Sequence, residues 1–364
     1  MTEEMTLERV FHNRAEQSPA ELPVFSRLCR AVADDPALAA PLAGLPVRWN
    51  LPDRLLTAVS LLLRAEATGH PLAAHFATLG GGKGADGTLV DTFAAFLAEH
   101  HERLTALVRD NDSRWNDPAR VAQFWPAFAL TAARDTRPLW LVELGGAAGL
   151  TARPDRYGYR FTRENRTETV NGDRPLVLDL ELRGEDPAHL GHPVRVAGRC
   201  VIDRDPIRTD DPATVALLRA SVRPDLADQL RRVDLALAET ANTELTWHIG
   251  DLLDVLPAAL AEIPDGRLPV VYGSSVLCCL HERRPRFAEI LAEAGRDLVW
   301  LSIEAPANSL GLISRDPVTE TNNKAHLTAV TYRDGRVVSA ETLALADSWG
   351  RWLYWDPRPV EITS

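Results

Sequence analysis

One segment of twelve residues constrains the fold of this 364-residue chain more than any other. Residues 139–150 read LWLVELGGAAGL, an apolar run that ends in an acid and continues into a glycine-rich turn. A short apolar run predicts a buried strand, and glycine lets the backbone of a turn approach a ligand closely. We expect a helix to follow, because the unpaired N–H groups at a helix start would complete a nucleotide site.

The rest of the chain divides in two near this segment. From residue 7 to about 133, apolar residues recur every three or four positions, which predicts helices. After Thr136, short apolar runs alternate with amphipathic stretches, a pattern typical of βαβ units with a mainly parallel sheet. We therefore predict an all-helical N-terminal region over residues 1–135, covering the active site, and an α/β domain over residues 136–364.

The α/β domain is predicted in more detail from its apolar runs and turn residues. Asp334-Gly335 supplies the positive φ angles of a tight turn and predicts a hairpin. The segment between the glycine turn and residue 203 is long for a first crossover, which an inserted hairpin near 176–183 would explain. The predicted strands are 139–144, 176–182, 199–203, 246–249, 268–272, 298–303, 326–332 and 352–355, and the predicted helices are 212–218, 226–238 and 286–293.

The glycine turn favours S-adenosylmethionine (SAM) over a dinucleotide. The dinucleotide fingerprint G-x-G-x-x-G lacks its first glycine, because Leu144 stands there. An acid followed by glycines at alternate positions is the SAM pattern, which Glu143, Gly145 and Gly149 match, with Ala147 in the middle position. A tight strand-to-helix turn without any ligand is the alternative interpretation.

Two later acids support the SAM interpretation. Asp203 ends a short predicted strand, at the place where a carboxylate would accept hydrogen bonds from ribose hydroxyls. Asp251 follows Gly250 at the end of the next predicted strand, where class I methyltransferases usually reach the adenine amino group. Each carboxylate alone is more often a helix cap or a surface acid, but three in order at strand ends favour a cofactor site.

Several further segments of the chain match a known family. They are 69–74, 115–116 with Arg120, 142–150, 155–157 with Tyr159, 178–184, 205–206 and 300–304. Through them the chain resembles, over most of its length, uncharacterised bacterial proteins related to the class I SAM-dependent methyltransferases. This resemblance implies a Rossmann-like, methyltransferase-type sheet and SAM as cofactor, but no particular reaction. The histidine that precedes the serine of the family's fourth-strand motif is absent, so its role is not carried over.

Candidate site residues follow from these patterns. Methyl transfer from SAM needs mainly a positioned nucleophile and, in some enzymes, a group that removes its proton. The alternatives are that His281 caps a helix or is exposed, that Glu304 ties down a loop, and that Asn116 and Arg120 serve domain packing. The catalytic candidates are Tyr157, Tyr272, His281 and Glu304, and the cofactor candidates are Asn116, Arg120, Glu143, Gly145, Gly146, Gly149, Asp203, Asp251, Leu252 and Ser274.

Composition limits the partners. The net charge of -11 argues against nucleic acid, whose binders usually carry a basic patch. No apolar run reaches the ~20 residues of a membrane span, so we expect no membrane partner and a cytoplasmic location. The four cysteines lack the spacing of a disulfide framework or a zinc finger, and we expect no metal.

The sequence leaves three functions open. The first is a SAM-dependent methyltransferase that acts on a small molecule. The second is a SAM-binding enzyme with another reaction, namely aminocarboxypropyl transfer, cyclisation or elimination. The third is a non-catalytic Rossmann-like binding protein. The substrate is not encoded in the cofactor loop, and a homodimer is compatible with the sequence but not indicated by it.

Overall fold

The computed structural model describes residues 5–314 and 324–362. Within these ranges the protein is a mixed α/β protein with one large, mostly parallel sheet. None of the described helices is long and apolar enough to cross a membrane. The helices are α1 (Leu7–Glu16), α2 (Pro23–Asp34), α3 (Leu51–Ala65), α4 (Leu89–Glu99), α5 (His101–Asp110), α6 (Arg120–Arg134), α7 (Pro212–Ala220), α8 (Ala227–Thr240), α9 (Leu252–Ala261) and α10 (Arg284–Glu293).

The described strands belong to one sheet. They are β1 (Leu139–Leu144), β2 (Gly158–Arg163), β3 (Arg166–Val170), β4 (Val177–Gly184), β5 (Val196–Asp203), β6 (Thr246–Ile249), β7 (Leu268–Ser274), β8 (Leu298–Glu304), β9 (Ala325–Arg333), β10 (Arg336–Ala346) and β11 (Trp352–Pro359). Their order across the sheet is β3-β2-β4-β11-β10-β9-β8-β7-β1-β5-β6.

Five parallel strands form the part of the sheet that carries the candidate site. They run in the order β6-β5-β1-β7-β8, and each neighbouring pair is parallel. The strand β1 lies in the middle, with β5 on one side and β7 on the other, so the strand order reverses there. Beyond β8 the sheet continues through the antiparallel strands β9, β10 and β11.

Helices cover both faces of this parallel part. On one face Val142 of β1 packs with Leu256 of α9 and Phe287 of α10 in a single buried cluster. On the other face Tyr272 of β7 lies edge-on to Phe124 of α6, with ring centroids 5.4 Å apart. Burying a side chain of this size contributes roughly 1.5–3 kcal/mol. The strands are therefore held between two apolar layers, which fixes the positions of their carboxyl ends.

The chain divides into two compact units whose limits differ from the predicted boundary at residue 135. The helical unit comprises Met1–Trp115 and Ile207–Asp234, and the sheet unit comprises Asn116–Pro206 and Leu235–Ser364. The helix α6 belongs to the sheet unit, because it packs on β4, β8 and β9. As predicted, the regular elements of the described residues before 115 are helices.

The second segment of the helical unit completes the start of α2. Leu22, the residue before α2, provides no side-chain acceptor for the unpaired N–H groups of the first turn. Asp225 provides it instead, accepting hydrogen bonds from the N–H groups of Val24 at 2.8 Å and Phe25 at 2.9 Å. Burial raises the pKa of the Asp225 carboxyl. A cap from about 200 positions later joins residues 207–234 to the helical unit through a contact that no local sequence pattern predicts.

Most of the predicted strands and helices of the α/β domain are confirmed, but the predicted hairpin at 176–183 is wrong. The hairpin at Asp334-Gly335 joins β9 to β10, with φ angles of 47° and 75°. No hairpin lies at 176–183, where the described chain forms the single strand β4. Its alternating burial pattern is that of one strand with a buried and an exposed face. The inserted hairpin is β2–β3, which turns at Glu164 with a φ angle of 47°.

Candidate functional site

The glycine turn after β1 is not followed by a helix. Gly145, Ala147 and Gly149 have φ angles of 64°, 48° and 65°. Left-handed residues at alternate positions interrupt any helix, and the first helical turn is a short 3-10 segment at Pro154–Arg156. The expectation that a helix starts directly after the glycine turn is therefore wrong. We name residues 145–153 the β1 loop.

Buried side chains hold the β1 loop in place of helical hydrogen bonds. The hydroxyl of Tyr157 donates to the carbonyl of Leu150 at 2.6 Å, and the hydroxyl of Tyr272 donates to the carbonyl of Thr151 at 3.0 Å. The side chain of Arg153, only 3% exposed, donates to a further carbonyl of the loop. Burial raises the pKa of both tyrosines, so both stay protonated donors. Their contacts indicate that Tyr157 and Tyr272 position the loop.

Glu143 lies under the β1 loop with an unusual carboxyl group. It is 5% exposed, and burial raises its pKa to about 8. The hydroxyl of Thr151 donates to Oε1, while Oε2 is buried and has no hydrogen-bond partner among the described residues. A Cβ atom at Gly146 would lie 2.9 Å from this Oε2 and 2.3 Å from a methyl of Val201. Glycine at position 146 therefore keeps the loop backbone against the carboxyl group.

Asp203 and Asn116 brace the β1 loop through its N–H groups. Asp203 ends β5, and its Oδ2 accepts the N–H of Ala147 at 2.8 Å. The side-chain oxygen of Asn116 accepts the N–H of Leu150 at 3.2 Å. Within the described residues, the N–H group of Gly146 donates to no protein acceptor. The structure thus brings Glu143, Asp203, Asn116 and the three predicted glycines together.

Asp251 lies at the start of α9 and acts as its cap. Its carboxylate accepts the N–H of Leu253 at 3.1 Å. It also forms ion pairs with Arg283 at 3.0 Å and Arg204 at 2.6 Å. The hydrogen bond from Arg283 is the main cause that lowers the pKa of Asp251. The neighbouring side chain of Leu252 packs into the buried cluster beneath α9. The contacts of Asp251 agree with the alternative that it caps a helix.

Glu304 ties the end of β8 to the loop after β7. It is 3% exposed, and its Oε1 accepts the N–H groups of Val276 at 2.5 Å and Leu277 at 2.8 Å. Burial raises the pKa of Glu304, and the backbone hydrogen bonds oppose that rise. We name residues 275–283 the β7 loop. Glu304 organises this loop, as one of the two sequence interpretations expected.

Arg120 and Ser274 form a second contact near Glu304. The guanidinium of Arg120 donates to the Ser274 hydroxyl at 2.5 Å and to the carbonyl of Ser348 at 2.9 Å. Burial is the main cause that lowers the pKa of Arg120, and the charge of Glu304 opposes it. The exposed His281 lies in the β7 loop with a φ angle of 49°. Its carbonyl accepts a hydrogen bond from Arg284. Its imidazole takes part neither in the contacts of Glu304 nor in those of Arg120 with Ser274.

His326 was missed by sequence reasoning and lies directly opposite Glu304 in the β8–β9 register. Residues paired in this way have Cβ atoms about 4.5–5.5 Å apart. The imidazole Nδ1 lies 3.1 Å from the carbonyl of Lys324, so Nδ1 carries the proton and Nε2 is an acceptor. Burial lowers the pKa of His326, which favours the neutral ring. The only sequence signal was a polar residue at the start of a strand.

These observations define the class of the protein: an α/β protein with a glycine loop and two acids at the point where its parallel strands reverse order. The family follows from comparison. Residues 8–355 match the family described as "Uncharacterized protein conserved in bacteria (DUF2332)", and the chain belongs to it. This confirms the bacterial family that the sequence resembled. The chain matches no curated protein and no solved structure.

Proposed function

We propose that this protein binds SAM at the β1 loop and transfers its methyl group to a small molecule. The strand order carries the proposal. In chain order the parallel strands β1, β5, β6, β7 and β8 are arranged 3-2-1-4-5, as in doubly wound nucleotide-binding sheets. Ligands of such sheets lie outside the carboxyl ends of the strands, where the order reverses. Here that place is the β1 loop.

The missing helix favours SAM over a dinucleotide. Dinucleotide sites place the pyrophosphate at a helix N-terminus, where unpaired N–H groups and the helix dipole stabilise its charge. The β1 loop leads into no such helix. SAM carries no phosphate, so its binding does not depend on a helix N-terminus at this position. The same observation argues against the NAD interpretation more strongly than the absent glycine at position 144.

The residues of the β1 loop fit the polar groups of SAM. The Oε2 of Glu143, which has no partner among the described residues, can form a hydrogen bond with a polar group of the cofactor, as a donor while the carboxyl is protonated. The N–H of Gly146 is a donor for the carboxylate of the cofactor. Asp203 retains lone pairs for ribose hydroxyls beside its bonds to the N–H groups of Ala147 and Asp205. Asp251 reaches an adenine only if Arg204 and Arg283 release it, which makes it the weakest member of this set.

The reaction requires little from the protein beyond positioning. SAM supplies an activated methyl group when bound, so the chain's own groups orient the nucleophile and remove its proton. His326 is the candidate base, because its Nε2 is an acceptor and the ring stays neutral at pH 7. Glu304 holds the β7 loop, and Arg120 with Ser274 braces the neighbouring strand end.

Two other functions use the same observations. A SAM-binding enzyme with a non-methyl reaction would have the same β1 loop, and product analysis separates it from a methyltransferase. A non-catalytic binding protein is favoured by one observation, the ion pairs of Asp251 with Arg204 and Arg283. Such a protein would bind a ligand at the β1 loop without converting any nucleophile.

Calorimetric titration of the full chain with SAM and S-adenosylhomocysteine tests the proposal, with NAD as control. We expect micromolar binding of both, about -8 kcal/mol, and none of NAD. Asp203→Ala should weaken binding at least tenfold. Asp179→Ala, which removes an exposed acid of the same sheet, should leave it unchanged. Absence of SAM binding, or equal affinity in the two variants, would overturn the site.

A further inference from the structure

A cavity lies on the face of the sheet that α6 covers. It has a volume of about 240 Å³ and lies between the second half of α6 and the amino ends of β7 and β8. Leu130, Val299 and Leu343 are among its apolar lining residues, and the hydroxyl residues Thr331 and Ser339 also line it. None of its lining residues is a candidate cofactor or catalytic residue. The cavity is therefore a separate feature of the sheet unit.

The charged groups at this cavity are unequally paired. Arg137 makes the close contacts with the two nearby carboxylates, at 2.6 Å to Asp135 and 2.9 Å to Asp297. Arg333, which lines the cavity, lies 3.4 Å from each of the same two carboxylates. Its Nη1 atom is buried and makes no hydrogen bond within the described residues. Arg134, also at the cavity, is paired through both terminal nitrogens with Glu341.

Arg333 is therefore the guanidinium of this cavity that retains capacity for another anion. Its Nη1 lies 3.4 Å from the carboxylate of Asp297 without a hydrogen bond, and a buried donor that forms none costs about 1–3 kcal/mol, which a bound acceptor would recover. A carboxylate is the best match, because it accepts hydrogen bonds from a guanidinium with complementary geometry. A dianionic phosphate would require more positive charge than one incompletely paired arginine supplies.

We propose that this cavity binds a short aliphatic carboxylate, with its carboxylate on Arg333 and its chain among Leu130, Val299 and Leu343. The volume lies below the roughly 300 Å³ at which pockets for drug-sized ligands begin, so the ligand is small. This site is independent of the proposed SAM site.

Hexanoate is the probe for a first test, titrated calorimetrically into the full chain. We expect saturable binding that becomes about fourfold tighter for each methylene from butanoate to hexanoate, as burial of a CH₂ group predicts. Hexanol and hexylamine match the chain but lack the negative charge. They should bind at least tenfold more weakly than hexanoate. Equal affinity of the three six-carbon probes, or no saturable binding of hexanoate, would overturn the proposal.

A pair of arginine variants locates the carboxylate. Arg333→Met keeps the length of the side chain and should weaken hexanoate binding at least tenfold. Arg336→Met, an exposed arginine of the same hairpin, should not change it. Unchanged hexanoate affinity in Arg333→Met would place the anion elsewhere and refute the site. S-adenosylhomocysteine titration of the same variants keeps the two proposals apart, because neither arginine belongs to the β1 loop.

If Arg333→Met fails to fold, as judged by circular dichroism, a second variant replaces it. Ala329→Leu fills part of the cavity without touching its charges. It should weaken hexanoate more than butanoate, because the longer chain needs the filled volume. Equal losses for both acids would contradict a chain bound in this cavity.

Discussion

The β1 loop and the β7 loop are each anchored by a buried glutamate, but in different ways. Glu304 gives one oxygen to two backbone N–H groups of the β7 loop. One oxygen of Glu143 accepts a hydrogen bond from the Thr151 hydroxyl of the β1 loop, and its second oxygen has no partner among the described residues. Burial raises the pKa of both. The difference teaches that a buried carboxyl can be used fully for loop structure, as in Glu304, or can keep one oxygen without a protein partner, as in Glu143.

The largest expected effect is the pH dependence that Glu143 gives to the free energy of unfolding. The pKa of Glu143 is about 8 in the folded protein and about 4.5 when unfolded. Between these values the unfolded chain has lost the proton that the folded chain keeps, so stability falls as pH rises, by up to about 1.4 kcal/mol per pH unit. Glu143→Gln should remove this slope. Urea unfolding at intervals from pH 5 to 8 measures it, and parallel profiles of the two proteins would contradict a protonated Glu143.

Removal of the other anchor tests the structural half of the comparison. Glu304→Ala leaves the N–H groups of Val276 and Leu277 without their acceptor, and should lower the free energy of unfolding by about 3 kcal/mol. Glu304→Gln retains an acceptor oxygen and should cost less. Urea unfolding at pH 7 compares them. If both variants unfold alike, the two N–H groups do not depend on the Oε1 acceptor.

The smallest effect sharpens the description of the β1 loop. Tyr157→Phe and Tyr272→Phe each remove one hydroxyl that donates to a loop carbonyl, and should each cost about 1 kcal/mol. Both should also weaken S-adenosylhomocysteine binding, because they loosen the loop that is proposed to hold it. Stability loss without a change in binding would show that the loop keeps its conformation through Arg153 and Asp203 alone.

Local patterns predicted what depends on neighbouring residues. The strand β1 and the turn at Asp334-Gly335 were predicted because apolar runs and turn glycines act within a few residues. The helix expected after β1 was wrong, because left-handed residues and long-range contacts from Tyr157 and Tyr272 determine the loop. The helix and turn propensities of individual residues carry no information about such long-range contacts.

The candidate site shows the same division. Glu143 and Asp203 were found because each ends an apolar run, and the structure brings both to the β1 loop. His326 was missed because only the β8–β9 register places it opposite Glu304. The sequence offered two interpretations of Asp251, a helix cap and a cofactor ligand, and the structure shows the cap on α9 together with ion pairs to Arg204 and Arg283.

The bond between Asp225 and the start of α2 has a consequence for synthesis on the ribosome. The chain passes between the two units three times, after residues 115, 206 and 234. Chains are made from the amino end, and domains generally fold as their residues emerge. The helix α2 therefore emerges long before its cap, Asp225, because β1 to β5 are translated between them. Nascent chains in which residue 225 is still inside the ribosome should hold α2 less firmly than chains long enough for residue 225 to have emerged.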